Sequence, residues 1–259
     1  MQFAYLSESV TIKKVSETDT EGVFEIEGLY TGYGLTVGNA LRRVLFSSLP
    51  GAAITQFKVK NVQHQFSTLA GVMEDMVEMG LNLKKVRFRL HTDEPQTLIL
   101  RVKGEKIVTA ADIELNSEVD LITPDVKIAT LTSKSSDLEI ELRVERGLGF
   151  VPVESTKAEK LPIGAVALDA AFSPVVKANF SVENMRVGDR TDYNRLIVSV
   201  TTDGSITPSA ALHKASNILK DHFDKISNIE VKEAEMKSVA SEEEKPKKTA
   251  KKKTAKKKK

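Results

Sequence analysis

Two rhythms of apolar residues run along this chain, and they fall in different places. A period of two appears first in the middle. Leu138, Ile140, Leu142 and Val144 alternate with Glu139, Glu141, Arg143 and Glu145. Val86, Phe88 and Leu90 alternate with Arg87 and Arg89, and Phe57 and Val59 alternate with lysines. Alternation of this kind predicts strands with one wet face, usually paired antiparallel. Ile12 to Leu29 reads as two more strands, with the β-rich run Val23 to Glu27 and a polar turn over Ser16 to Gly22. Arg195 to Thr202 is another, closed by the turn Asp203-Gly204.

Helical spacing appears in three other places. Val37, Ala40, Leu41, Val44 and Leu45 predict a helix from about Val37 to Leu49, with Thr36 as N-cap and Pro50-Gly51 as the stop. Val72, Met76 and Met79 predict a second, from about Thr68 to Leu81. Thr207-Pro208 opens a third, striped by Ala211, Leu212, Ala215, Ile218, Leu219, Phe223 and Ile226. The two cleanest helices lie near opposite ends of the patterned region, and strands flank both. This order predicts an α+β domain made from both ends of the chain, residues 1–50 and 175–230. A β-rich domain, residues 51–174, is inserted between them. From about Glu230 the pattern stops, and residues 231–259 read as a disordered, lysine-rich tail.

Composition narrows the chemistry. The 259 residues contain no cysteine, which removes thiolate nucleophiles and Cys-based metal sites. With no Trp and 5% aromatics, the core must be aliphatic. Met1 to Val10 has no apolar run long enough for a signal peptide, and no segment approaches a membrane span. The expectation is a soluble, cytoplasmic protein, with Asn179-Phe180-Ser181 matching a glycosylation acceptor by chance. The net charge of +2 hides an asymmetry. Of 38 Lys and Arg residues, 10 fall in Lys245 to Lys259, leaving 28 against 36 acids, a net of −8, over the rest. A nucleic-acid-binding domain normally shows a basic face; an average does not exclude a local one.

No constellation of reactive side chains stands out. His64, His91, His213 and His222 form no metal-ligand spacing, and the acids lie along amphipathic strands. Gly32-Tyr33-Gly34-Leu35-Thr36-Val37-Gly38 precedes a helix as a phosphate-binding loop does, yet it reads GxGxxxG and no Lys-Ser or Lys-Thr follows. A tight turn with close helix packing explains it better. Arg42 and Arg43 project about 100° apart on the helix and need not share a partner. Paired surface arginines usually sit in water; the alternative is an interface anchor, because Arg is enriched at hot spots.

The same residues carry a resemblance. Gly34-Leu35-Thr36-Val37-Gly38-Asn39-Ala40-Leu41-Arg42-Arg43-Val44-Leu45, then Ser47-Ser48-Leu49-Pro50-Gly51, resembles the signature of the bacterial RNA polymerase alpha subunit family. His64 to Leu83, Val108 to Ile113, Arg146 to Pro152, Arg190-Thr191-Asp192 and Thr202 to Ile206 resemble further family motifs in the right order. The likeness spans roughly residues 5 to 230. It implies a discontinuous α+β dimerisation domain with an inserted β-rich domain. Two copies would pair through the helices Val37–Leu49 and Pro208–Ile226, then bind the beta subunit and afterwards beta-prime. Those large subunits build the catalytic centre, so the resemblance implies no catalytic residue, metal or cofactor here.

Residue by residue, the resemblance maps the beta contact to Arg43, with Asn39 and Arg42 in the same motif. It maps the beta-prime contact to Asp169, within Pro162–Pro174, and to Arg190 and Asp192, within Arg190–Ile206, with Lys84 a further candidate for the same partner. Leu41, Val44, Leu45, Leu212, Leu219 and Phe223 belong to the dimer interface or the core. A typical member continues into a second, helical domain that binds promoter DNA; in its place here stands the lysine tail, so that role is not carried over. Two other readings remain open. One is a nonspecific nucleic-acid-binding module acting through Lys245 to Lys259 by counterion release. The other is an enzyme with a phosphate site at Gly32 to Gly38.

Overall fold

The alternating positions become two sheets, each with one apolar face turned inward. The computed structural model describes residues 10–62, 64–156, 162 and 164–229. The expected tail, 231–259, lies outside them. In chain order the elements are β1 (Thr11–Glu17), β2 (Glu21–Leu29), α1 (Tyr33–Ser47), β3 (Pro50–Val59), α2 (Met76–Leu83), β4 (Phe88–Leu90), β5 (Gln96–Lys103) and β6 (Lys106–Thr109). There follow β7 (Ile113–Glu114), β8 (Val119–Leu121), β9 (Lys127–Leu131), β10 (Asp137–Leu148), β11 (Phe150–Val151) and a one-turn α3 (Val153–Thr156). The last are β12 (Ala165–Ala167), β13 (Ala170–Ala171), β14 (Val175–Val187), β15 (Arg190–Thr202) and α4 (Pro208–Ser227).

The two ends of the chain meet in one antiparallel sheet, ordered β1-β2-β15-β14. Helices α1 and α4 cover one face of it. Ile26, Leu29, Ala178, Leu196, Val198 and Val200 from the strands pack with Leu41, Leu45, Leu49, Ala211 and Ala215. Most of what lies between, apart from a small third cluster of Ala53, Ala170 and Phe172, belongs to a second, separate core. Its sheet runs β7-β5-β10-β3-β4-β8, with β12 also paired to β3. Leu138, Ile140, Leu142 and Val144 of β10 are fully buried and pack with Met76, Met79 and Leu83 of α2 and Ile128 and Leu131 of β9. The fold is α+β, with a β-rich domain inserted into a domain built from both ends.

Helix α1 begins at Tyr33, four residues before the expected start, and its N-cap is Gly32 rather than Thr36. Gly32 sits in the left-handed region at φ 85°, where only a glycine is comfortable. The acceptor comes from elsewhere: Asn194 of β15 takes hydrogen bonds from the Gly32 N–H at 2.8 Å and the Gly34 N–H at 3.4 Å. Thr36 lies inside the helix, its hydroxyl donating back to Gly32 O. Helix α2 starts later than expected, at Met76 instead of Thr68. The residues before it pair with β9: Met73 N–H donates to Thr130 O, Thr132 N–H to Gly71 O, and Val72 bridges Leu131. The helix opens only at Asp75, whose carboxylate caps the Glu78 N–H at 2.7 Å.

Glycine decides how closely α1 approaches its sheet. A Cβ on Gly34 would lie 2.7 Å from Val182, and one on Gly38 would lie 2.6 Å from the Phe180 ring. Ala is worth about 1 kcal/mol more than Gly inside a helix, but overpacking costs about 1–3 kcal/mol, and the ring is held at its root. Gly38→Ala is therefore expected to lower stability by about 1 kcal/mol or more, read as a lower urea midpoint. Adding Phe180→Leu should recover part of the loss; a single variant as stable as the parent would show that the helix lifts off the sheet freely.

Candidate functional site

Helix α1 buries Gly34, Gly38, Leu41 and Leu45 against the sheet. The residues one turn-quarter round face away from it. Leu35, Asn39, Arg42 and Phe46, spaced at i, i+4, i+7 and i+11, share an exposed face. Leu35 is 58% exposed and Phe46 38%. The two arginines do diverge. Arg42 places its guanidinium 6.0 Å from the Phe180 ring at the helix–sheet boundary. Arg43 and Asn39 make no ion pair or side-chain hydrogen bond among the described residues. An uncommitted guanidinium on a rigid helix, beside exposed apolar carbon, has the composition of an interface anchor.

Helix α4 carries its stripe further than its own core reaches. Ala211 and Ala215 are completely buried, and Leu212, Ile218 and Leu219 half-buried. In the same helical phase, Phe223 is 62% exposed and Ile226 58%. So Leu41, Leu45 and the first half of the α4 stripe are core. Val44, Leu212 and Leu219 sit at its margin. Phe223 belongs to a face that no other described residue covers.

Both helices are held at their N-termini by side chains from the sheet. Besides the Asn194 cap on α1, Glu17 of β1 accepts the Ser209 N–H at 2.9 Å in the first turn of α4. Thr207 stands at the cap position but makes no side-chain cap bond. Hydrogen bonds from Lys14 and Ser209 hold the Glu17 carboxyl down at about 2. This acceptor satisfies an otherwise open N–H and meets the positive end of the helix dipole. The glycine-rich loop therefore has no free N–H groups at Gly32 and Gly34 for a phosphate, and its small residues serve close packing.

The four residues matched to the beta-prime contact form two internal pairs. Lys84 Nζ lies 2.7 Å from Asp169 Oδ2, and the other Asp169 oxygen accepts the Val153 N–H at 2.9 Å. Both bonds hold that carboxyl below its ordinary range. Arg190 grips Asp192 through Nε and Nη2 at 3.1 and 2.7 Å, and stacks 5.0 Å from the Tyr30 ring. Asp192 also accepts the Thr31 hydroxyl at 2.7 Å, next to the α1 N-cap. The Arg190 bond, then Thr31, takes its carboxyl from 3.8 to about 2. This second pair clamps the loop that launches α1.

Among the described residues, no group of three or more His, Asp or Glu is placed to hold a metal, and no helix is long and apolar enough to cross a membrane. The distinctive chemistry lies on two outward helix faces.

Residues 54–173 match the model of the RNA polymerase Rpb3/RpoA insert domain. Over 215 residues the chain is 44% identical to the DNA-directed RNA polymerase subunit alpha of Alkaliphilus oremlandii, covering 83% of this chain and 68% of that one. It is 45% identical over 210 residues to that of Symbiobacterium thermophilum, covering 81% and 66%. Against that of Carboxydothermus hydrogenoformans it is 44% identical over 229 residues, covering 88% and 73%. The chain belongs to the bacterial DNA-directed RNA polymerase alpha subunit family.

Sequence reasoning missed Asn194, Glu17, Leu35 and Phe46. Asn194 had a readable signal: it falls in phase with Leu196, Val198 and Val200, a polar residue on the inward face of its strand. Its environment makes it a cap rather than a defect. The Arg190–Asp192 clamp makes a pH prediction. A folded carboxyl held at about 2 instead of 3.8 stabilises the protein fully above pH 4 and loses that contribution as pH falls toward 2. Asp192→Asn should lower the urea midpoint at pH 7, and the gap from the parent should close by about pH 2. A gap that stays constant across that range would remove the charge from the explanation.

Proposed function

We propose that this chain is a non-catalytic assembly subunit of DNA-directed RNA polymerase. Two copies pair through α1 and α4, and the pair binds the beta subunit and then beta-prime, which carry the nucleotidyl transfer. The chain divides into residues 1–50 with 175–230 for pairing and assembly, around an inserted 51–174. The observation that carries this reading is the α4 stripe that outruns its core, at Phe223 and Ile226.

The physical argument is direct. Burying a Phe or Ile side chain yields about 1.5–3 kcal/mol. A two-fold interface uses the same patch on both copies, so each such residue contributes twice. Leu35 and Phe46 add exposed apolar area on α1, which packs on the same sheet face as α4. Arg43 stays outside that contact, with its guanidinium uncommitted, and reaches for a carboxylate or carbonyl of beta. Asn39 and Arg42 flank it. Lys84–Asp169 and Arg190–Asp192 meet beta-prime as neutral hydrogen-bonding pairs rather than as bare charges.

Two variants test the two parts. Phe223→Asp puts a charge in the pairing face at an exposed position, so the chain should stay folded and sediment as a monomer. Arg43→Ala should leave the dimer intact and weaken capture of co-expressed beta by about 2–4 kcal/mol, the range of a desolvated hot spot. A parent chain that is a folded monomer at high concentration, or an Arg43→Ala chain that binds beta as tightly as the parent, removes the corresponding half of the proposal.

A further inference from the structure

Between the inserted domain and the start of α4 lies a cleft of about 220 Å³. Among its lining residues are Arg89 and His91 of the β4 segment, Arg146 of β10, Ser205 and Lys214 of α4. No carboxylate lines it. The acids behind it are already engaged. Asp93 takes Arg146 Nη1 at 2.6 Å, Asp120 takes His91 Nε2 at 2.9 Å, and Asp203 accepts both the N–H and the hydroxyl of Ser205.

Two cations are left over. Arg89 donates only to backbone, from Nε to Ser205 O at 2.9 Å and from Nη2 to Gly204 O at 3.4 Å. A guanidinium has five N–H groups, so most of its donors remain open. Lys214 makes no ion pair or hydrogen bond among the described residues. Here two positive charges face one cleft whose lining holds no acid.

We propose that this cleft is a phosphate site. Its two open cations come from different elements, β4 and α4, which suits a tetrahedral oxyanion better than a planar carboxylate. The volume accommodates a free phosphate or a small phosphomonoester. A bound phosphate ties β4 of the inserted domain to α4 of the other, so it braces the junction on which the outward faces of α4 depend.

The test is isothermal titration of the whole chain with inorganic phosphate and with glycerol phosphate, at constant ionic strength. The parent is compared with Lys214→Gln and Arg89→Gln. Lys214 holds nothing else in place, so its replacement leaves the fold intact. One saturable site is expected in the parent, weakened about ten-fold in each variant, as the loss of one charge-assisted contact implies. Phosphate gathered by the lysines of 245–259 is common to all three proteins and cancels. The tighter of the two ligands identifies whether the site takes the free ion or an ester. Saturable binding that both variants retain unchanged, or a parent that binds neither ligand at tens of millimolar, overturns the assignment.

Discussion

The close seat of α1 on the β14–β15 hairpin is the constraint from which the rest of the architecture follows. Gly34 and Gly38 present no side chain to the sheet, so the helix backbone rests directly on Val182 and Phe180. That approach sets the height of Leu41 and Leu45, which then reach Leu196 and Val198. It also sets the position of the α1 N-terminus within reach of Asn194. A helix held a side chain's width further out would lose its core contacts and its cap together. The outward face of α1 inherits this rigidity: Arg43 projects from a helix that cannot shift without unpacking its own sheet.

The caps extend the same dependence across the chain. Gly32 and Asn194 are separated by 162 residues, and Ser209 and Glu17 by 192. Tyr33 N–H finds Tyr30 O nearby, but the N–H groups of Gly32, Gly34 and Ser209 take acceptors from the far end of the chain. Each is completed only when strands from the opposite end of the chain have joined the sheet. The two ends are thus not merely adjacent; each supplies the acceptor that the other's helix needs. The inserted domain, with its own core and its locally capped α2, has no such requirement.

Much of this was legible in the sequence, and the failures share a cause. Strand alternation in β10 mapped directly to burial, because a strand's period of two is insensitive to where the strand ends. The α4 stripe and its Thr207-Pro208 opening were readable for similar reasons. What failed was anything decided by a partner far along the chain. The start of α1 depends on Asn194, the start of α2 on backbone pairing with β9, and β14 on its position at the sheet edge, where its apolar rhythm is weak. The arginines show the same division. Their 100° separation was predictable from helix geometry. That Arg42 would lie near Phe180 and Arg43 would stay uncommitted depended on which face the glycines pulled inward.

That glycine face also decides where chemistry is available. The loop before α1 has the look of a phosphate cradle, but Asn194 occupies the N–H groups that a phosphate would need, and the small residues are filled by the sheet. Recognition is therefore displaced outward, to surfaces the core does not consume. Leaving Phe223 and Ile226 in water is unfavourable for a lone chain, by an amount comparable to a sizeable part of the 5–15 kcal/mol that keeps an ordinary domain folded. A sequence tolerates such a stripe in perfect helical phase, over half of a 20-residue helix, when another surface covers it. The same logic distinguishes Arg43 from the other surface arginines. Arg87, Arg89, Arg101, Arg143, Arg146, Arg190 and Arg195 all have a carboxylate or a carbonyl to hold. Arg43 has a rigid platform and, among the described residues, no acceptor, which is why the proposed beta contact falls on it.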